Sequence, residues 1–211
     1  MIHPDTELRF VGERVGHGVF ATCDIPCGTI TWVRDKLDQV FSADQVRQMR
    51  EPYQHIIGKY GYTDRHGKII LCWDHARFMN HSCEATCLSA GYDFEIAIRD
   101  VCAGEELTDD YSTLNLESSF NCACSRAQCR GRIEPDDNVH GADRWDELLR
   151  ETFPLIQGIA QPLWWLVEEK EEVLLASTDV SQMRSCRLHF LSSASNGLVS
   201  HIAQNGSRRH G

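Results

Sequence analysis

The sequence predicts a mainly β protein built of several small sheets, followed by an α-helical extension at the C-terminus. Three observations carry this. Residues 8–33, LRFVGERVGHGVFATCDIPCGTITWV, alternate apolar and polar side chains in short runs. Gly12, Gly16, Gly18 and Gly28 break those runs, as turns between short strands do. Residues 59–73 place Tyr60, Tyr62, Ile69 and Leu71 at a period of two around a turn at 64–67, the pattern of a hairpin. After Pro135-Asp136-Asp137 the period changes from two to that of a helix.

Taken in order, the strands of residues 8–33 come first. Ser42 is an N-cap for a short helix, since its hydroxyl can take the free N–H groups of the first turn. The hairpin of 59–73 follows, then short strands at 94–98 and 106–108 separated by a turn at Ala103-Gly104. Residues 143–153 carry Trp145, Leu148 and Leu149 at helical spacing. Residues 162–176 do the same with Leu163, Leu166 and Val167, with Pro162 in the first turn and 168–172 as the solvated face. Trp164 and Trp165 are expected to pack against the main domain. From Ser192 onward no sustained apolar pattern remains, which predicts a mobile tail. No internal repeat is present.

With 211 residues, 42% hydrophobic and 25% charged, the chain has room for one compact domain and a short appendage. It has no run of about 18 apolar residues to span a bilayer. The N-terminus, MIHPDTELRF, has neither a basic nor an apolar leader region, so a cytoplasmic location is expected, or a nuclear one in a eukaryote or for a secreted effector. A net charge of −10 argues against direct nucleic-acid binding and favours encounter with a basic, lysine-containing protein. No membrane partner is expected.

Ten cysteines in a chain without a secretion signal point to metal binding rather than disulfides. Cys23, Cys27, Cys72, Cys87, Cys102 and Cys186 are scattered and read as buried free thiols. Cys122, Cys124 and Cys129 lie within one short stretch. Three close thiolates wrap zinc without long-range folding, but zinc wants four ligands, so the fourth must come from elsewhere.

Three further strings carry chemistry. Gly16-His17-Gly18-Val19-Phe20 offers glycines that let backbone approach a ligand. ARFMNHSCEATC, residues 76–87, offers Asn80 as donor and acceptor together and His81 with two ring nitrogens. ELTDDY, residues 106–111, ends in Tyr111, and FNCACSRAQCRG begins at Phe120. In this order and spacing the strings resemble the motifs of a SET domain with a zinc-binding post-SET tail. That family contains protein-lysine methyltransferases that use S-adenosylmethionine.

The resemblance covers roughly residues 10–133. It implies the SET fold of small sheets with a knot-like threading, with domain limits of 7–118 for the SET domain and 119–134 for the post-SET segment. The helical extension then takes 140–190 and the tail 191–211. It also implies that Cys83 completes the zinc site with Cys122, Cys124 and Cys129. Gly16, His17 and Gly18 would present main chain to the methionine part of the cofactor. Asn80 and His81 would hold its amino-acid end and adenine, Arg77 would lie close to it, and Phe120 would cover the adenine. Tyr111 matches the tyrosine whose hydroxyl sits by the transferred methyl and the lysine nitrogen, which makes it the catalytic residue and a cofactor contact.

Two departures stand out. Ala85-Thr86 replace the proline and asparagine usual after the cysteine, which bears on the local turn. Asp109 replaces an aromatic residue that limits how many methyl groups fit; the smaller side chain predicts room for higher methylation states. Asp109 could equally face solvent, hold a water or attract the incoming ammonium.

Methyl transfer is an in-line displacement, so the enzyme's work is alignment, with reacting atoms about 3–3.5 Å apart. The lysine must also lose a proton. With a free pKa near 10.4, about 0.1% is neutral around pH 7.5, a deficit of roughly 4 kcal/mol. An aromatic channel and a nearby positive charge lower that pKa; Tyr60 and Tyr62 are candidates for its wall, or core tyrosines of a strand. Two competing readings use fewer motifs. One is a SET-like module that binds peptide and zinc with little or no catalysis. The other is a cytosolic zinc or redox protein.

Overall fold

The computed structural model describes residues 1–191; the tail expected at 191–211 lies, from residue 192 on, outside the described residues. The architecture is mainly β, in small sheets, with helices gathered toward the C-terminus. Strands β1 (Thr6–Gly12) and β2 (Gly16–Ala21) form an antiparallel hairpin. Gly16 closes it with φ +90°, a backbone region that other residues enter only with strain.

Next come β3 (Ile30–Val33), β4 (Gln39–Phe41) and two helices, α1 (Ala43–Gln48) and α2 (Glu51–Tyr60). Ser42 caps α1 as its sequence indicates, in a reciprocal capping box with Gln45. β5 (Tyr62–Thr63) and β6 (Ile69–Leu71) pair antiparallel around the expected turn, and β4 joins their other side. The rest are β7 (Asn80–His81), β8 (Cys87–Ser89), β9 (Phe94–Ala97), β10 (Glu106–Asp109), β11 (Phe120–Asn121), β12 (Arg132–Ile133), α3 (Asp137–Thr152) and α4 (Lys170–Thr178).

One sheet, in the order β1-β2-β10-β7, positions the site. β10 runs antiparallel to β2 and parallel to β7, which sets Thr108 opposite Asn80 and Asp109 opposite His81. Three motifs distant in sequence thereby share one seam. A second sheet, β3-β9-β8, buries Ile30, Leu88, Phe94 and Ile96 against the C-terminal extension. From that side α3 supplies Ala142, Trp145 and Leu149, one face of a helix. Phe153 then stacks 5.8 Å from Tyr92 and 6.2 Å from Phe94. The extension thus shares a core with the sheets.

Several expectations need correction. Helix α2 was not foreseen: Tyr53, Ile56, Ile57 and Tyr60 stand at helical spacing, but Tyr60 also fits a period of two with Tyr62, and only Ile57 is buried. Lys59 and Tyr60 accordingly end a helix instead of opening a strand. Gly18 lies inside β2, not in a turn. Residues 162–176 are not one helix: a 3-10 turn at Trp164–Leu166 ends where Val167 takes extended backbone (φ −61°, ψ 124°), and α4 starts afresh. That break seats Leu163 and Val167 in the core and leaves Trp165 65% exposed, while Trp164 packs partly against the core. Cys72, Cys87 and Cys186 are buried thiols, but Cys23 and Cys102 are exposed outside the strands and helices and Cys27 is half-buried. All ten cysteines are free thiols. Among the described residues no helix is long and apolar enough to cross a membrane.

Asp146 ties the extension together. Its buried carboxylate accepts from the Ser185 hydroxyl at 2.6 Å and the Cys186 N–H at 2.8 Å. Asp146→Ala leaves both donors unpaired and is expected to destabilise the fold by about 2–3 kcal/mol, read as a lower midpoint in urea unfolding.

Candidate functional site

At the β2–β10–β7 seam, Asn80 Nδ2 donates to the His17 carbonyl at 3.0 Å and to Glu106 Oε1 at 2.7 Å. Gly18 makes room for this pair: a Cβ there would run into the Glu106 carboxylate and come within 3.0 Å of Asn80 Nδ2. His81 Nδ1 accepts the Tyr111 N–H at 3.1 Å, which leaves the ring proton on Nε2, 3.4 Å from Cys83 Sγ. Burial lowers the His81 pKa, an effect that the nearby Asp110 carboxylate opposes.

Tyr111 opens a 3-10 turn, Tyr111–Thr113, capped by Asp110 through the Ser112 N–H. Its hydroxyl donates to the Met79 carbonyl at 2.6 Å. Burial, with the Asp109 and Glu95 carboxylates nearby, pushes its pKa up, so it stays a neutral phenol. Its ring lies 5.5 Å from His81 and 6.0 Å from Phe120, and His81 and Phe120 are 5.5 Å apart. Arg130 fixes the turn from the tail side, donating to Asp110 Oδ1 at 2.6 Å and to Ser112 Oγ at 3.1 Å.

Cys83, Cys122, Cys124 and Cys129 bring their sulfurs within 4.8 Å of one another. Cys83 and Cys122 are 3.7 Å apart, against a sulfur–sulfur edge of about 3.8 Å for a tetrahedron with zinc–sulfur bonds of about 2.3 Å. Backbone N–H groups of Cys124, Arg130 and Gly131 point at Cys122, Cys83 and Cys129, each at 3.4 Å. Such donors stabilise thiolates, the form that binds metal. The donor set fits zinc.

A cavity of about 630 Å³ opens beside Tyr111. Arg77, Tyr111 and Phe120 line it, and so do Tyr60, Tyr62 and Asp109. Gly16, His17, Gly18, Asn80 and His81 are not in its wall and form the neighbouring seam. Phe78 links the two regions, with its ring 5.9 Å from His17, 5.0 Å from Tyr60 and 5.2 Å from the Arg77 guanidinium.

Asp109 does not face solvent; it is 2% exposed. Oδ1 accepts the Asp110 N–H at 2.7 Å, and Oδ2 has no partner. Burial, reinforced by Glu95 and Asp110, raises its pKa well above the usual carboxylate range. At the other departure, Thr86 Oγ1 accepts the Thr108 N–H at 2.8 Å, and its own N–H reaches the Thr108 carbonyl at 3.1 Å. The threonine thereby stitches the chain after Cys83 to β10. Sequence reasoning missed Glu95, Glu106 as the partner of Asn80, and Arg130. For Glu95 a signal existed, a carboxylate between Phe94 and Ile96 in a short apolar strand.

Comparison with known proteins finds one family in common. The SET domain family model matches residues 16–112. A variant-silencing SET domain-containing protein of Plasmodium falciparum is 28% identical over 145 residues, 59% of this chain and 5% of that protein. The human histone-lysine N-methyltransferase, H3 lysine-36 specific, is 25% identical over 203 residues, 88% of this chain and 7% of its own. The Schizosaccharomyces pombe histone-lysine N-methyltransferase, H3 lysine-4 specific, is 38% identical over 65 residues, 28% of this chain and 7% of its own. The chain therefore spans only a small part of the length of these relatives. Residues 16–112 are a SET domain.

Proposed function

We propose that this protein transfers a methyl group from S-adenosylmethionine to the ε-amine of lysine in a protein substrate, with Tyr111 as the catalytic residue. The observation that carries this reading is the Tyr111 hydroxyl. It is anchored on the Met79 carbonyl where the cavity meets the Asn80–His81 seam. Bound S-adenosylmethionine would supply an electrophilic methyl on a sulfonium. The residues fit such a group: Gly18 keeps the backbone open beside Asn80, and Arg77 and Phe120 line a cavity of ligand size.

In this reading Gly16, His17 and Gly18 offer main chain, and Asn80 and His81 hold the polar end of the cofactor. Arg77 and Phe120 flank the remainder. The neutral Tyr111 hydroxyl orients the amine without competing as a nucleophile. Tyr60 and Tyr62 line the approach of the lysine side chain and exclude water from it. Zinc on the four cysteines would order segment 119–134 and so hold Phe120 in place. We take 7–118 as the catalytic unit and 140–190 as its buttress, on the strength of their common core. The net charge of −10 suits a basic substrate, and relatives named for lysines of histone H3 make a histone tail the first to try.

The test is incubation with labelled S-adenosylmethionine and a panel of lysine-rich proteins, histones included. Label should enter protein. Cofactor binding with no transfer to any of them would support a binding module instead.

Asp109 occupies less of the cavity wall than an aromatic ring would. Asp109→Tyr is therefore expected to shift products toward monomethyl-lysine, compared with wild type at equal conversion of one peptide by mass spectrometry. An unchanged distribution would place the size limit elsewhere.

A further inference from the structure

Asp109 has a neighbour that the proposed reaction leaves unused. Glu95, on β9, lines the same cavity and is 8% exposed. Its Oε2, like Asp109 Oδ2, is buried with no hydrogen-bond partner. Among the described residues neither carboxylate is paired with a lysine, arginine or histidine. Most buried acids are held by a cation or by several N–H donors. These two have one backbone donor between them, on Asp109 Oδ1. Both residues line a cavity whose other lining includes Trp32, Tyr62 and Tyr111. Aromatic walls with two acceptors suit the end of an alkylammonium side chain.

We propose that Glu95 and Asp109 together bind the cationic end of the substrate side chain in this cavity and accept its proton. The proposal rests on the methyltransferase reading above. With the Glu95 charge acting on Asp109, the two buried carboxylates do not both ionise readily; they hold one proton between them and carry one negative charge. An entering R–NH3+ neutralises that charge. One N–H bond then breaks as an O–H bond forms on the pair, giving R–NH2 with its lone pair free and two protonated acids. Once product leaves, the extra proton passes to water and the pair regains its charge. The lysine is thereby delivered neutral, which the reaction requires.

The surroundings suit a proton acceptor working near neutral pH. Burial raises Glu95 to about 7 and raises Asp109 further, with Glu95 and Asp110 adding to the effect. The other titratable groups facing the pair are Tyr111, Cys87 and Cys72. Burial raises all three, so they remain uncharged. Among the described residues the N-terminal amine is the one cation whose charge bears on Glu95, and it is bonded to Asp35 and the Val33 carbonyl.

The experiment uses the full zinc-loaded chain and two near-isosteric variants, Asp109→Asn and Glu95→Gln, each first checked for unchanged melting and cofactor affinity. One arm is the pH profile of kcat/KM on a lysine peptide. Wild type should level off between about pH 7 and 8, once the pair is ionised. Asp109→Asn should fall about 100-fold at pH 7.5 and climb about tenfold per pH unit to pH 9.5, because only lysine already neutral in water then reacts. Glu95→Gln removes the partner acid that shares the proton and should move the plateau toward higher pH. Profiles of wild-type shape in both variants would overturn the proposal and leave the methyltransferase reading intact.

The second arm needs no catalysis. Carboxyl ¹³C NMR follows titration with n-butylamine, the two resonances being assigned by their loss in the variants. Both should shift in wild type, and the remaining one should shift less in each variant. If wild type methylates nothing, the methyltransferase reading fails, and this arm alone judges the cation site. Resonances unmoved by n-butylamine would then reject it.

Discussion

Tyr111→Phe is expected to lower kcat for lysine methylation by about 10²–10³-fold, with S-adenosylmethionine affinity within about twofold of wild type. The substitution removes one oxygen and keeps the ring, so the packing against His81 and Phe120 at 5.5 and 6.0 Å survives. The backbone bond from Tyr111 N–H to His81 Nδ1 also survives. What disappears is the hydroxyl on the Met79 carbonyl, a loss of about 1 kcal/mol in stability but of the whole orienting contact at the amine. Asn80→Ala should do the reverse. It strips the donor from the His17 carbonyl and from Glu106 and should weaken cofactor binding first. Calorimetry with S-adenosylmethionine, run beside turnover measurements, separates the two. A Tyr111→Phe enzyme as active as wild type would show that the catalytic hydroxyl lies elsewhere.

Loss of zinc is expected to abolish methyl transfer and sharply weaken cofactor binding, while most secondary structure remains. Segment 119–134 has little core of its own: β11 and β12 are two residues each, and of their four residues only Ile133 is buried. Four cysteine ligands supply the order that packing does not. Two links carry the effect to the site, the Phe120 ring against Tyr111 and the Arg130 guanidinium on Asp110 and Ser112. Metal analysis should give about one zinc per chain, less in Cys124→Ser. Circular dichroism should change little on chelation, since α3 and α4 share with the β3-β9-β8 sheet a core that includes none of the four clustered thiols. A metal-free protein with normal cofactor affinity and turnover would break the link between the tail and the site.

Much of this was legible in the sequence because its signals are local. The glycine-punctuated hairpin, the Ser42 cap and the β5–β6 turn each depend on a few adjacent residues, and all three are present. The spacing of Cys122, Cys124 and Cys129 foretold a cluster, which Cys83 joins across the fold. What escaped depends on tertiary context. Helix α2 carries Tyr53, Ile56, Ile57 and Tyr60 at helical spacing, but Tyr60 also fits a period of two with Tyr62, and only the fold decides between the two. The break at Val167 exists because the core takes Leu163 and Val167 in preference to Trp165. Asp109 could be flagged by its position but not oriented. Only the fold shows that its carboxylate is buried and lines the same cavity as Glu95. Asn80 and Glu106 likewise meet through the order of strands in the sheet, which no single motif encodes.

The central claim is that the Tyr111 site places methyl groups on lysine nitrogen. The most direct test is residue-level mass spectrometry of a histone H3 peptide treated with wild type or Tyr111→Phe and labelled S-adenosylmethionine, under conditions where both bind cofactor. Wild type should place labelled methyl on a lysine ε-nitrogen, and the variant should lose about 100-fold or more of it. Label on another residue type, or equal labelling by both proteins, would contradict it.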